Sequence, residues 1–196
     1  MASACTLVLL VALAPAQDVQ RIDAIVGAGE LFASKFLSAS QAYQPPAENG
    51  GIYPSFGAEG ILENRFGISA EGAIRFSRGT YNGYQPYRPM FFDVNGVFAP
   101  RINKRISLDL AVGPGFSTVL FYNQFGSCST GNTFCRTNLN STHFLVHVGA
   151  GPRYYFHGPF FVRPEVNYYF VVNNVEFHSG NVLRLGGSVG YSWGSR

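Results

Sequence analysis

Four side chains in the sequence are of the types used in nucleophilic catalysis: Ser141, His143, His147 and Glu165. A serine becomes a nucleophile when a neighbouring histidine accepts its proton and a carboxylate orients that histidine. Such a set could cleave an acyl ester, as a lipid-modifying enzyme does. The spacing weakens this interpretation, because both histidines share a face with other polar residues and Ser141 falls in a polar segment. An enzyme is therefore the alternative, and a protein without catalytic activity is expected.

A second group of ionisable side chains recurs at alternate positions of otherwise apolar stretches. Successive strand residues point to opposite faces, so these charged groups lie on faces opposite apolar ones. The group contains six acids and four bases, which favours mutual ion pairs. A narrow, gated ion pore is the alternative for the same residues. Its members are Glu30, Glu59, Glu71, Arg75, Asp93, Asp109, Arg153, Arg163, Glu165 and Arg184.

The clearest of these stretches runs from residue 143 to residue 172. Up to residue 156 the even positions are apolar, and the odd positions mix glycine with histidine and Arg153. From residue 160 the even positions are again apolar, while the odd positions include Arg163 and Glu165. An odd number of turn residues keeps both apolar faces on one side of a hairpin. The three residues 157–159 satisfy this condition, so the stretch predicts two paired strands.

The same alternation predicts eight strands along the chain, at residues 22–33, 51–62, 66–77, 90–99, 105–120, 143–156, 160–172 and 182–193. Their connections alternate between long and short. The long connections are 34–50, 78–89, 121–141 and 173–181, and the short ones are 63–65, 100–104 and 157–159. This rhythm is typical of transmembrane barrels, whose loops are long at one end and short at the other. The predicted fold is an all-β, eight-stranded antiparallel up-and-down transmembrane β-barrel.

The polarity of the two faces indicates which medium each one contacts. In a transmembrane barrel the apolar face meets lipid, and small and ionic residues face the lumen. Eight strands enclose a lumen that side chains can fill. The alternative is a soluble periplasmic barrel that binds a small ligand. Aromatic residues near strand ends predict interfacial girdles; they are Tyr53, Phe66, Phe91, Phe121, Tyr122, Tyr154, Phe160, Tyr168, Tyr191 and Trp193.

Three prolines fall inside predicted strands, where each removes a hydrogen-bond donor from the ladder. They are Pro114, Pro152 and Pro164. Bulges or strand ends could accommodate them, and the sequence does not distinguish between the two.

The composition limits the class of protein. The chain has 196 residues, which corresponds to one domain. Its net charge of +3 is small and dispersed, which argues against nucleic acid as a partner. Outside the first residues no run of about 18 apolar residues occurs, so no transmembrane helix is expected. No residue pattern predicts a cofactor or a metal site.

Residues 1–16 have the features of a cleaved signal peptide. An apolar run at 7–14 is followed by Ala-Pro-Ala, so Gln17 would begin the mature chain, although no Lys or Arg precedes the run. A buried core helix is the alternative. Residues 17–196 then form the barrel domain. Cys128 and Cys135 remain as an even pair in a polar segment, which predicts a disulfide that contributes about 2 to 3 kcal/mol.

Three segments resemble the small OmpA/OmpX-like barrels of the outer-membrane protein β-barrel family. They are GAGPRYYF at 149–156, VRPEVNYYF at 162–170 and LGGSVGYSW at 185–193. The resemblance implies residence in the bacterial outer membrane, contact with its lipid, and a lumen closed by side chains. It also implies a monomer whose loops 34–50, 78–89, 121–141 and 173–181 carry any surface partner. No peptidoglycan-binding domain follows the barrel segments, so a cell-wall tether is not expected.

Overall fold

The computed structural model describes residues 21–33, 48–63, 65–81, 85–122, 138–177 and 179–194. These residues form nine strands in chain order, and together the strands make one sheet. Their bounds are β1 Arg21–Ala33, β2 Ile52–Glu63, β3 Phe66–Ile74, β4 Gly79–Tyr81, β5 Gln85–Phe98, β6 Ile106–Tyr122, β7 Asn138–His157, β8 Phe160–Val171 and β9 Asn181–Gly194. Within these residues no helix has the length and apolar character needed to cross a membrane.

The sheet closes on itself into an eight-stranded antiparallel barrel, which confirms the predicted fold. Apart from β3 and β4, each strand pairs with its neighbour in sequence, and β1 pairs with β9 from Arg21 opposite Gly194 to Ala33 opposite Val182. Strands β3 and β4 both pair with β5 and lie end to end, so they occupy a single position in the barrel. We call the end that carries the 63–65, 99–105 and 157–159 connections the turn end, and the opposite end the loop end.

The break between β3 and β4 corrects the third predicted strand. Ile74 pairs with Met90, and Gly79 pairs with Tyr87. Between these two pairs, the β3–β4 segment therefore contains two more residues than β5. These extra residues form a bulge at 75–78, and pairing then resumes. The predicted long loop 78–89 is therefore wrong, because most of it is strand. A bulge interrupts a ladder without ending it, and composition alone does not distinguish the two.

The longest predicted loop, 121–141, is also shorter than expected at both ends. Strand β6 continues to Tyr122 and β7 begins at Asn138. Ser141 is consequently a strand residue paired with Val119. Cys128 and Cys135 lie outside the described residues, as do the predicted signal peptide 1–16 and Gln17.

The polarity of the barrel wall is the reverse of that of a soluble protein. Large apolar side chains on the outer face are about half exposed, such as Val26 at 58%, Val94 at 54% and Val189 at 51%. Charged side chains on the inner face are almost fully buried, such as Arg153 at 0% and Arg184 at 1%. Tyr154, Tyr168, Tyr191 and Trp193 lie on the outer face. Tyr53, Phe91 and Phe121 instead point inward and are buried, so their assignment to a girdle is wrong.

The three prolines sit inside strands without shifting the register. Pro152 is opposite Pro164, in a gap between the Ala150–Val166 and Tyr154–Val162 pairs. Val172 donates its backbone N–H to Phe144 across the same two strands, and hydrogen-bonded pairs recur at every second residue. Pro152 and Pro164 therefore occupy one hydrogen-bonded pair position, and the ladder between β7 and β8 loses both of its missing hydrogen bonds there. Pro114 similarly lies where the pairing of β5 with β6 is interrupted, between the Asp93–Gly115 and Gly96–Val112 pairs.

Candidate functional site

The inner face of the barrel carries a layer of ion pairs, which we call the ionic layer, with Arg153 on β7 at its centre. The Arg153 guanidinium donates to Asp109 through Nε at 2.9 Å and Nη2 at 2.5 Å, and to Glu59 through Nη2 at 3.0 Å. It also pairs with Asp23. Arg21 adds a second cation, with Nε 3.0 Å from Asp23 Oδ2. These five residues come from β1, β2, β6 and β7, so one guanidinium links both sides of the barrel.

A second group of the ionic layer lies next to the first. Nη2 of Arg163 is 2.7 Å from Glu71 Oε1 and 2.8 Å from Glu165 Oε2. Nη2 of Arg184 is 2.7 Å from the other Glu165 oxygen. Nη1 of Arg163 approaches Asp109 Oδ2 at 3.7 Å, which connects this group to the carboxylates around Arg153. Both oxygens of the Glu165 carboxylate thus contact arginines, and among the described residues no histidine pairs with Glu165.

His147 forms a third part of the ionic layer. Its Nδ1 is 2.9 Å from Asn95 Oδ1 and 3.2 Å from Asp93 Oδ1, and its Nε2 is 3.0 Å from Asn167 Oδ1. The ring stacks on Tyr169 at a centroid distance of 4.9 Å. Both ring nitrogens have partners, so His147 acts as a structural bridge between strands β5, β7 and β8.

Apolar side chains close the lumen on both sides of the ionic layer. Towards the loop end they are Leu31, Ala33, Tyr53, Ala73, Phe91, Leu145, Tyr169, Val171 and Val182. Towards the turn end, Phe161 packs with Ile25 and Tyr155, and its ring lies 4.3 Å below the Arg153 guanidinium carbon. A cavity between Glu71, Asp109 and Arg163 has a volume of only about 10 Å³. That is room for about one water molecule.

Most of the ionisable residues chosen from the sequence meet in the ionic layer: Glu59, Glu71, Asp93, Asp109, Arg153, Arg163, Glu165 and Arg184. Glu30 does not, because it is exposed on the outer face of β1 beside Ala28. Its expected inward position is wrong. The inward positions of β1 are the odd ones, and they bring in Arg21 and Asp23, which sequence reasoning missed. The alternation of Arg21 and Asp23 with Ile22 and Ala24 was the available signal; the many Ala and Gly residues beyond it obscured the faces.

Arg75 lies apart from the ionic layer, at the loop end. Its Nη1 donates to the Tyr87 hydroxyl at 3.0 Å. Nearby, the Glu48 carboxylate is buried and accepts a hydrogen bond from Asn174 Nδ2 at 3.4 Å. Burial raises the pKa of Glu48 to about 7, while the hydrogen bond from Asn174 lowers it and the Glu176 carboxylate raises it. These contacts join the β1–β2 and β8–β9 connections over the mouth of the barrel.

The loop end also brings together a serine, a histidine and an acid. Ser141 Oγ lies 3.0 Å from His143 Nε2, and Glu176 Oε2 lies 2.8 Å from the same nitrogen. A catalytic histidine uses one ring nitrogen for the serine and the other for the acid. Here the serine and the acid both approach Nε2, so the two partners are not on opposite nitrogens of the ring. Sequence reasoning named Ser141 and His143 but not Glu176, which lies in the β8–β9 connection.

Comparisons with known proteins identify the fold. No protein-family model matches the chain, and no curated protein is similar to it in sequence. The chain is similar in structure to Ail, the attachment invasion locus protein of Yersinia pestis, solved with the heparin analogue sucrose octasulfate. The TM-score is 0.60 at 14% identity, over 88% of this chain and 98% of Ail. It is also similar to Neisserial surface protein A, with a TM-score of 0.57 at 9% identity, over 87% and 95% of the two chains.

A third similar structure is the outer membrane protease OmpT of Escherichia coli. The TM-score is 0.51 at 11% identity, over 92% of this chain and 99% of OmpT. The chain therefore has the fold of small outer-membrane β-barrels. Because surface proteins and a protease share this fold, the likeness does not decide between binding and catalysis.

Proposed function

We propose that the protein is a non-enzymatic barrel of the bacterial outer membrane, monomeric and exported, with a structural or surface-binding role. Its outer face would contact lipid, and its loops would carry any specificity. The reversed polarity of the wall carries this proposal. Half-exposed valine, isoleucine and phenylalanine side chains surround a core of buried guanidinium and carboxylate groups. In water such an arrangement exposes apolar surface and buries charge, and both are unfavourable. In a bilayer the apolar face is solvated by hydrocarbon.

A closed barrel is favoured over a pore by the same residues. Each guanidinium of the ionic layer has a carboxylate within 3.0 Å, and apolar side chains cover the layer on both sides. An ion entering this lumen would have to break several charge-assisted hydrogen bonds at once. We therefore expect no steady, large conductance when the purified protein is reconstituted in planar bilayers. Stable open channels would contradict the closed barrel and favour the pore.

Membrane residence is tested by fractionation and by gel migration. The protein should sediment with outer membranes, require detergent for release, and migrate differently on gels before and after boiling. Recovery in a soluble fraction without detergent would favour the soluble ligand-binding barrel. Deletion within residues 123–137, followed by an assay of surface binding, tests whether the connection between β6 and β7 carries a partner.

The absence of catalysis is supported by the geometry at His143. Because Ser141 and Glu176 both approach Nε2, the histidine is not arranged as a base. A panel of acyl esters and phospholipids should give no serine-dependent hydrolysis with the folded barrel. Activity that disappears in Ser141→Ala would overturn this part of the proposal.

A further inference from the structure

Four cations lie together on the surface at the turn end of the barrel. Arg65 belongs to the connection between β2 and β3, and Arg101, Lys104 and Arg105 belong to the connection between β5 and β6. All four are exposed. Ala99 donates its backbone N–H to the Arg65 carbonyl at 2.6 Å, which holds the two connections side by side. We call these four residues the basic cluster.

The basic cluster is presented on a fixed backbone. Asn103 Oδ1 accepts hydrogen bonds from the backbone N–H groups of Arg105 and Ile106, both at 2.8 Å. Arg101 forms a β-bridge with Ser107. Among the side chains that the structure describes, which do not include that of Glu63, no carboxylate lies within ion-pair distance of the four cations. In this respect the cluster differs from the ionic layer, where every guanidinium is paired. Its charge remains available to an external anion.

An apolar groove on the outer wall leads towards the basic cluster. A row of four phenylalanines crosses the wall in register: Phe56, Phe92, Phe116 and Phe144. Nearer the turn end, Phe66 and Phe98 form a second aromatic contact at 5.0 Å. Between them the wall holds two hollows of about 470 Å³ and 510 Å³, which follow one another along β5 at residues 92–94 and 96–98. Arg65 directly precedes Phe66 in the chain, so the groove ends at the basic cluster.

Gly96 forms part of the groove floor, and the space above it is empty. A Cβ atom built on Gly96 would have a single neighbour within 4 Å, the Val112 carbonyl oxygen at 3.8 Å. From Phe92 to Phe98 the groove follows β5 for about 20 Å at the usual rise per residue. That distance exceeds half of the roughly 30 Å hydrocarbon thickness of a bilayer. The groove therefore has the length of one acyl chain within one leaflet.

We propose that the groove and the basic cluster together form a binding site for an anionic glycerophospholipid. Its phosphate would lie on Arg65, Arg101, Lys104 and Arg105, and one acyl chain would lie along β5 over Gly96. The inference rests on the proposed membrane residence, and it adds selectivity for a lipid class at a defined place. A cationic surface at the membrane boundary attracts anionic headgroups. The groove is as long as an acyl chain, which favours a lipid over a soluble anion, because a soluble anion has no acyl chain to place in the groove.

The test compares two lipids with identical acyl chains, phosphatidylglycerol and phosphatidylcholine, on the folded protein in neutral detergent. Bound lipids are counted by native mass spectrometry. We expect phosphatidylglycerol to be retained on the order of ten-fold better, because each cation near a headgroup adds attraction. The preference should shrink as salt rises from 0.05 M to 0.5 M, because added ions screen exposed charges. Equal retention of the two lipids by the wild-type protein would overturn the proposal.

Two variants separate the headgroup contact from the chain contact. The combined change Arg65→Gln, Arg101→Gln, Lys104→Gln and Arg105→Gln should abolish the preference for phosphatidylglycerol. Gly96→Leu fills the groove and should weaken retention of both lipids. The matched control is Gly187→Leu on β9, where an added Cβ also meets a single atom, the Arg163 carbonyl oxygen at 3.9 Å. Gly187→Leu should retain phosphatidylglycerol like the wild type, and an equal loss in both leucine variants would contradict the groove.

A competition arm separates a lipid from a free anion. Glycerol phosphate, which has the charge but no chains, should compete with phosphatidylglycerol only weakly. Competition as strong as that of the lipid would reduce the site to an ion site and overturn the proposal. Failure of membrane residence would appear elsewhere, as wild-type protein that neither floats with vesicles nor changes migration on heating. Protein that passes these two checks but binds both lipids equally would refute the lipid site alone.

Discussion

At the residue scale, Arg153 is the side chain on which the ionic layer depends most. Its guanidinium contacts Asp23, Glu59 and Asp109, and none of it is exposed. Buried carboxylates that lose their cation keep the cost of desolvation without the compensating attraction. These three carboxylates, on β1, β2 and β6, would therefore repel one another if this single cation were removed, although Arg21 and Arg163 would still neutralise part of the charge.

Arg153→Met is accordingly expected to lower the free energy of unfolding by about 3 to 5 kcal/mol. Urea unfolding of the folded protein in neutral detergent measures the change. Arg105→Met is the matched control, because Arg105 is exposed, and its effect should stay within about 0.5 kcal/mol. Adding Asp109→Asn to Arg153→Met should recover part of the loss. Equal stability of Arg153→Met and wild type would show that the ion pairs are not needed to hold the lumen together.

Phe91 and Phe92 are adjacent residues with opposite surroundings. Phe91 is fully buried inside the barrel and stacks on Tyr169 at 5.0 Å, whereas Phe92 lies on the outer face against Phe116. Phe91→Ala should cost about 3 to 5 kcal/mol, because it leaves a cavity in a packed layer. Phe92→Ala should cost much less, because lipid can fill the space that it vacates. Unfolding in vesicles measures both, and a larger loss for Phe92→Ala would mean that the two faces are assigned the wrong way round.

At the scale of the elements, the two connections over the barrel mouth meet at Glu48. Asn49 Oδ1 accepts the backbone N–H of Ala33 at 2.5 Å, and Gly50 donates its backbone N–H to Leu31 at 2.8 Å, so residues 48–50 are held against β1. Asn174 holds both Glu48 and the carbonyl of Ser179, at 3.4 Å and 2.9 Å. The closed arrangement thus depends on a carboxyl group that has little contact with water.

The closed mouth should loosen as pH rises, because burial raises the pKa of Glu48 from its ordinary 4.5 to about 7. Below pH 4.5 the carboxyl is neutral whether the mouth is closed or open, and the closed form has its full stability. Between pH 4.5 and 7 the closed form keeps a proton that the open form releases, so its stability falls with pH. The total loss is about 3 kcal/mol, reached just above pH 7.

Hydrogen exchange of backbone amides at 48–50 and 172–177, corrected for intrinsic rates, measures this loosening. Protection should be higher at pH 5 than at pH 8 in the wild type. Glu48→Gln, which stays neutral, should give the same protection at both values. A wild-type protein whose protection rises with pH would contradict the buried neutral carboxyl.

At the scale of the whole molecule, the medium around the barrel decides the effect of a charge on its outer face. Val94 lies on the outer face of β5, between the row of four phenylalanines and the Phe66–Phe98 contact. Val94→Arg should lower the free energy of unfolding in phosphatidylcholine vesicles by about 2 to 4 kcal/mol. Val175→Arg is the control, because Val175 is exposed in the connection after β8. If the two variants were equally stable, the outer face would be meeting water.

The sequence by itself determined the number of strands, their antiparallel order and the polarity of most faces. Alternation is a local property, since neighbouring side chains of a strand point to opposite sides whatever lies across from them. It therefore predicted inward positions for Glu59, Arg153 and Arg184 without knowledge of their partners. Alternation failed to predict the faces of β1, because alanine and glycine occupy both of them. The charge of Glu30 indicated an inward position, but Glu30 is exposed on the outer face.

Only the tertiary structure decided which charges pair and where strands stop. Arg153 meets Asp23 across 130 positions of sequence, a contact that exists because β1 closes the barrel against β9 and sets the height of every inward residue. The bulge at 75–78, the strand residues beyond 121 and the coincidence of Pro152 with Pro164 likewise depend on register between strands. Register is a relation between distant segments, and no single segment contains it.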